Sequence, residues 1–101
     1  MASNQPDSNA TVSIFALGKV VATRCAYEAL QEAGGDPAIY LRYHECGDWG
    51  GVDAEDATEN DRSLGPGLRI LSAYTLTTGE RIWIITEAVR FYTTLMLPEE
   101  Y

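Results

Sequence analysis

Apolar positions recur along the chain in three rhythms, and each rhythm predicts a different element. Across 12–21, Val12, Ile14, Phe15, Leu17, Val20 and Val21 are β-branched, aromatic or aliphatic and closely spaced, which predicts a first strand with a bend or bulge at Gly18. Ala26, Ala29, Leu30 and Ala33 then repeat at helical spacing, with Thr23 placed to cap the helix and Gly34-Gly35 to end it. Asp36-Pro37 opens a second helix, because the carboxylate can accept free first-turn amides and proline suits the first helical position. That helix runs to about Cys46 and stops at Gly47. Its apolar residues Ile39, Tyr40, Leu41 and Tyr43 wrap around the axis, so much of it is expected to be buried. After the glycine-rich turn at 47–51, Asp53 begins a third helix that ends near 64–67, with Glu55 and Asp56 in its first turn.

From Leu68 onward the rhythm shortens. The stretches 68–76, 81–86 and 91–97 are rich in Ile, Leu, Tyr, Trp and Thr and are separated by short turns, which predicts a three-stranded antiparallel meander. Thr77-Thr78-Gly79-Glu80 suits a hairpin turn, and Glu87-Ala88-Val89-Arg90 makes a second connection. Ile82-Trp83-Ile84-Ile85 is apolar on both faces, so its strand is expected to be central, with Trp83, Tyr74 and Phe91 in the core. The predicted order is β-α-α-α-β-β-β, an α+β domain over 12–101 with helices packed on an antiparallel sheet of three to four strands. Residues 1–11 carry almost nothing apolar, which predicts a flexible tail.

Charge narrows the function classes. The 101 residues hold 15 acidic and 7 basic side chains, a formal charge of −8, which repels phosphate backbones and anionic lipid surfaces. Direct nucleic-acid and membrane binding are therefore disfavoured. The apolar runs are too short to cross a bilayer and no basic-then-apolar signal opens the chain, so a cytoplasmic protein is expected. Cys25 and Cys46 are far apart and read as reduced thiols, with no cofactor implied.

Seven of the fifteen acids, Glu45, Asp48, Asp53, Glu55, Asp56, Glu59 and Asp61, fall between His44 and Asp61 without a Lys or Arg among them. An acidic helix and loop carrying Trp49 can imitate phosphate spacing and stacking faces, and so occupy the basic groove of a nuclease, restriction or CRISPR subunit. Asp48, Trp49, Asp53, Glu55, Asp56, Glu59 and Asp61 are the candidate partner-binding residues. The plainer reading of the same acids is a solvated helix whose first turn serves the helix dipole. Trp49 is either the aromatic of that interface or a lid folded over the core.

Other chemistry is weaker. His44, Cys46 and Asp48, with Cys25 as a further donor, contain metal-binding side chains, but Gly47 ends the helix between His44 and Asp48 and spoils their shared face. The alternative role for His44 is to close helix two on its last carbonyls. Nucleophilic catalysis has His44 as its only histidine base, and adjacent helical positions do not face Cys46 toward it. Paired carboxylates among Asp48, Asp53 and Asp56 arise readily by chance on so acidic a surface. The glycines flank acids or proline and form no phosphate-binding loop.

A wider pattern is also present: His44-x-x-Gly47-Asp48-Trp49-Gly50, Glu55-Asp56, Asn60, Gly67-x-Arg69-Ile70-Leu71-Ser72-Ala73-Tyr74, Ile82-Trp83-Ile84-Ile85-Thr86-Glu87, Arg90, Thr93-Thr94 and Leu97-Pro98-Glu99-Glu100-Tyr101. Together with Gly18-Lys19-Val20-Val21-Ala22-Thr23, it resembles a family of short bacterial proteins found on plasmids and integrated mobile elements. The resemblance covers nearly everything after the tail. It implies a mobile-element setting but no established activity, cofactor or catalytic residue; that setting adds weight to the anti-restriction or anti-CRISPR role expected from the acidic segment. The chain departs from that pattern beside Arg90, where Val89 and Phe91 stand in place of an acidic and a small polar residue. The element order is also similar to that of RelE/ParE-like toxins, which makes a small toxin-like or metal-dependent enzyme the alternative. Arg69, Arg81 and Arg90, however, read more simply as edge and turn residues pairing with Glu80 or Glu87.

Overall fold

The computed structural model describes residues 13–64 and 68–101. The expected tail at 1–11, and positions 65–67 of the stretch where the third helix was expected to end, lie outside the described residues. The chain is an α+β protein with the elements β1 (Lys19–Ala22), α1 (Arg24–Ala33), α2 (Pro37–Glu45), α3 (Ala54–Ser63), β2 (Ile70–Thr75), β3 (Arg81–Thr86) and β4 (Tyr92–Met96), closed by a 3₁₀ turn at Pro98–Glu100. Among the described residues no helix is long and apolar enough to cross a membrane.

The helix starts follow the capping residues. Thr23 Oγ1 accepts from the Ala26 amide, Asp36 from Ala38 and Asp53 from Asp56, each satisfying a first-turn N–H that the helix itself cannot. The meander forms as expected, with β2 antiparallel to β3 and β3 antiparallel to β4. The sheet as a whole is mixed: β1 lies parallel to β4 at the other edge, giving the order β1-β4-β3-β2. Parallel pairing requires a long crossover, and the three helices and two strands between β1 and β4 provide it.

The first strand is shorter than expected, four residues in place of ten. Gly18 holds a φ of +67° before β1 begins, and a Cβ there would collide with the carbonyls of Arg90 and Phe91. The chain before it bends and turns back, and the Ile14 amide donates to the Glu45 carbonyl at 2.8 Å.

One face of the sheet carries the core. Ile82, Ile84, Leu95, Tyr74, Leu76 and Leu97 pack with Ala26, Ala29 and Leu30 of α1, while Phe15, Trp49 and Ile70 form a second, smaller cluster with Val52, Ala57 and Leu64. Three burial expectations are corrected. In α2 only His44 is buried, because the helix lies on the surface and turns Ile39 and Tyr43 toward solvent. Phe91 is 69% exposed, since it precedes β4 and lies beyond the last cross-strand pair, Thr86 with Thr93. Trp83 is on the opposite face of the sheet from the helices and only half-buried, covered in part by the Tyr101 ring at 5.5 Å.

Candidate functional site

The acidic segment is built on a covered sheet edge. Strand β2 is the last in the sheet, and its outward backbone groups are met by other parts of the chain. The Ala73 amide donates to the Trp49 carbonyl at 3.1 Å and the Gly51 amide donates to the Ala73 carbonyl at 2.6 Å. Two residues along, the Asn60 side chain takes both groups of Leu71, donating to its carbonyl at 2.6 Å and accepting from its amide at 3.0 Å. Gly50 makes this approach possible: its φ is +70°, and a Cβ would run into the Ala73 carbonyl and the Tyr74 ring. The turn at 47–51 and helix α3 are thus fixed to one strand by four hydrogen bonds to backbone groups.

Within that frame the candidate residues separate into two sets. Glu55, Asp56 and Glu59 are exposed on α3, and Glu59 accepts from Arg62 at 3.5 Å in a surface ion pair. The other acids, Asp48, Asp53 and Asp61, are exposed but hold the fold as well. Asp48 accepts from the Gly50 amide at 3.2 Å, Asp53 caps α3, and Asp61 accepts the indole N–H of Trp49 at 3.2 Å. Trp49 itself is buried, at 7% exposure, and packs its ring 6.2 Å from Phe15 and 6.0 Å from His44. It is therefore the lid residue and not an exposed interface aromatic. Its indole nitrogen needs a partner once covered, and the Asp61 carboxylate is that partner.

His44 does not close α2 on its own carbonyls. It is wholly buried and points across the sheet, with Nδ1 2.5 Å from Ser72 Oγ and Nε2 2.8 Å from Thr86 Oγ1. Thr86 Oγ1 lies 2.7 Å from Thr93 Oγ1, and Thr93 donates to the Leu17 carbonyl at 2.6 Å. A carbonyl can only accept, so the direction of the whole chain follows from its last member. Thr93 spends its proton on Leu17 and accepts from Thr86. Thr86 spends its own on Thr93 and accepts from His44 Nε2–H. Nδ1 is left as the acceptor for the Ser72 hydroxyl. His44 is neutral, protonated at Nε2, and links α2 to β2, β3, β4 and the segment before β1.

The surroundings oppose any charge on that ring. Burial, reinforced by the Arg90 charge, pushes the His44 imidazolium down to about 3 from its ordinary 6.5. The Phe15 ring meets the imidazole edge-on at 5.1 Å, and the Arg90 guanidinium stands 5.8 Å from the centre of that same ring. Arg90 is itself unusual, with a φ of +63° that a non-glycine residue seldom holds. Its guanidinium donates to the carbonyls of Leu68, Glu87 and Ala88 at 2.6, 3.0 and 3.3 Å, where pairing with Glu80 or Glu87 side chains was expected. Arg69 stacks over the Tyr101 ring at 4.8 Å.

The metal and nucleophile readings fare poorly on this geometry. Both nitrogens of His44 are engaged by hydroxyls, and among the described residues no group of three or more His, Cys, Asp and Glu side chains is placed to hold an ion. The Glu100 carboxylate raises the Cys25 thiol, and burial raises that of Cys46, so both stay protonated. Ser72, Thr86, Thr93 and Asn60 were not singled out as polar core residues by pattern alone. The signal available was a hydroxyl or amide standing where the strand or helix period calls for an apolar side chain.

Compared with protein-family models, curated proteins and solved structures, the chain matches none.

Proposed function

We propose that this protein is a small acidic interaction module of mobile-element type, which binds a basic groove on a host nucleic-acid-processing or defence complex in the cytoplasm and blocks it. A nuclease, restriction or CRISPR subunit has the required surface chemistry. The observation that carries the reading is the solvent face of α3, where Glu55, Asp56 and Glu59 project from a helix tied to β2 through Asn60. Charges held on a fixed helix lose little freedom on binding, so more of their attraction appears as affinity. The formal charge of −8 favours a basic protein partner over nucleic acid. Trp49 supports this face from beneath and does not touch the partner.

The test is capture from host lysate by the tagged protein at low and high salt, followed by capture with Glu55→Lys, Asp56→Lys and Glu59→Lys combined. These three positions are chosen because Asp53, Asp61 and Asp48 also carry local structure. A nuclease, restriction or CRISPR subunit retained by the wild type at low salt, released at high salt and missed by the triple variant supports the reading. Capture indifferent to both salt and charge reversal overturns it.

A further inference from the structure

The two edges of the sheet are treated differently by the fold. That of β2 is closed by Trp49, Gly51 and Asn60. Strand β1 forms the other, and its four residues are all exposed. The Lys19 amide donates to the Phe91 carbonyl at 2.8 Å and the Thr23 amide to the Leu95 carbonyl at 2.9 Å. In a parallel pair with this register, alternate residues turn to the neighbour, so Lys19, Val21 and Thr23 face β4. The N–H and C=O of Val20 and of Ala22 therefore point away from the sheet. Among the described residues nothing pairs with them, and no proline or bulge blunts the edge.

We propose that β1 is the contact edge of a symmetric homodimer, in which two copies of the strand pair antiparallel about a twofold axis through Val21. The occupant is a second copy because the edge complements itself. Outward groups at positions two apart match their own image: Val20 exchanges both backbone bonds with Ala22 of the second copy, and Ala22 does the same with its Val20. All eight outward groups are then satisfied by four hydrogen bonds. In this register Lys19 stands opposite Thr23 of the second copy. The Thr23 hydroxyl donates to the exposed Glu100 carboxylate at 2.7 Å, so each end of the contact sets a lysine against a glutamate. The charges are complementary at both ends. Val20 and Val21, 41% and 36% exposed, gain cover from Ala22 and Val21 across the axis. The result is one eight-stranded sheet with both outer edges closed by the β2 arrangement.

A contact of four residues per copy is small, so the dimer is a weak one, to be sought over a range from about 1 µM to about 100 µM. The test is sedimentation velocity across that range on three proteins. The wild type is expected to move from 11.1 kDa to twice that mass as concentration rises. Val20→Pro removes an outward N–H without touching the β4 ladder, and is expected to stay monomeric with an unchanged circular dichroism spectrum. Val21→Cys, in a Cys25→Ser background, places two thiols on the axis at a non-hydrogen-bonded pair, where Cα atoms stand about 4.5 Å apart, and is expected to form a disulfide-linked dimer on mild oxidation. A wild type that is monomeric throughout overturns the proposal. So does a Val20→Pro protein that dimerises like the wild type, or a wild-type dimer that Val21→Cys fails to cross-link.

Discussion

His44 Nε2 stands 2.8 Å from Thr86 Oγ1, and the carbonyl of Leu17, two hydroxyls further on, decides which of the two atoms carries the proton. The imidazole is a neutral Nε2–H donor with Nδ1 accepting from Ser72. The row crosses the sheet between the two apolar clusters: on β2, Ser72 lies between Ile70 of the smaller and Tyr74 of the larger. Every polar atom in the row has a partner, which is what allows four buried polar side chains in so small a core.

The direction of that row can be read by NMR. The Nδ1 nitrogen is expected at an unprotonated shift and Nε2 at a protonated one, with a slowly exchanging Nε2 proton. Thr86→Val keeps the shape but leaves the Nε2–H donor unpaired in the core, a cost of about 1–3 kcal/mol. Thr86→Ser keeps the hydroxyl and is expected to cost less. Equal destabilisation of the two in urea unfolding would show that the hydroxyl is not part of a connected row.

Acid should weaken the fold through the same ring. His44 is held down to about 3 from 6.5, chiefly by burial, so between those pH values the unfolded chain binds a proton that the folded chain refuses. Stability is complete above pH 6.5 and falls as the solution is acidified, by up to about 1.4 kcal/mol for each pH unit. Glu100, lowered by its bonds from the Leu97 amide and Thr23, adds its own loss only below about 4.5. Urea midpoints between pH 7 and 5 therefore isolate the histidine. His44→Gln is expected to be less stable at pH 7 yet nearly flat over that interval, and a slope equal to the wild type's would assign the titration elsewhere.

Much of the fold was legible because its signals are local. Thr23, Asp36 and Asp53 cap the helices their neighbours specify, and the apolar run at Ile82 to Ile85 sits in a strand flanked on both sides. What pattern could not supply is long-range. The parallel return of β1 onto β4 depends on where a crossover lands, and nothing in 19–22 distinguishes a parallel from an antiparallel edge. For the site, the exposed acids of α3 were readable as charge, but Asp53 and Asp61 were double-booked by a helix cap and an indole. His44 misled for a similar reason: a histidine in a last helical turn suits the dipole, and only the three strands beneath it reveal the hydroxyls it serves.

Trp49 should behave as a core residue. Replacement by alanine removes a buried ring packed against both Phe15 and His44 and is expected to cost about 3–5 kcal/mol. Asp61→Ala, which leaves the covered indole N–H without its carboxylate, is expected to cost about 1–3 kcal/mol. With Trp83 replaced by phenylalanine, the remaining fluorescence should be blue-shifted and poorly quenched by acrylamide. A red-shifted, freely quenched Trp49 would return it to the surface.

The clamp of Asn60 on Leu71 makes a sharper prediction, because the two ends of the amide do opposite things. Nδ2 donates to the Leu71 carbonyl and Oδ1 accepts from the Leu71 amide, so the side chain completes the β2 edge as a neighbouring strand would. Asn60→Ala leaves two backbone groups without partners and is expected to cost about 1–3 kcal/mol, summed from two ordinary hydrogen bonds. Asn60→Asp is nearly the same size, yet it replaces the donor with an oxygen facing a carbonyl oxygen and buries a charge. At neutral pH it should be at least as destabilising as the alanine variant, with part of the stability returning as the carboxyl is protonated in mild acid. Hydrogen exchange at the Leu71 amide gives an independent reading: strong protection in the wild type and fast exchange in Asn60→Ala. If Asn60→Asp were as stable as the wild type at pH 7, the amide would not be bonded to both groups, and α3 would be held to β2 by apolar contact alone.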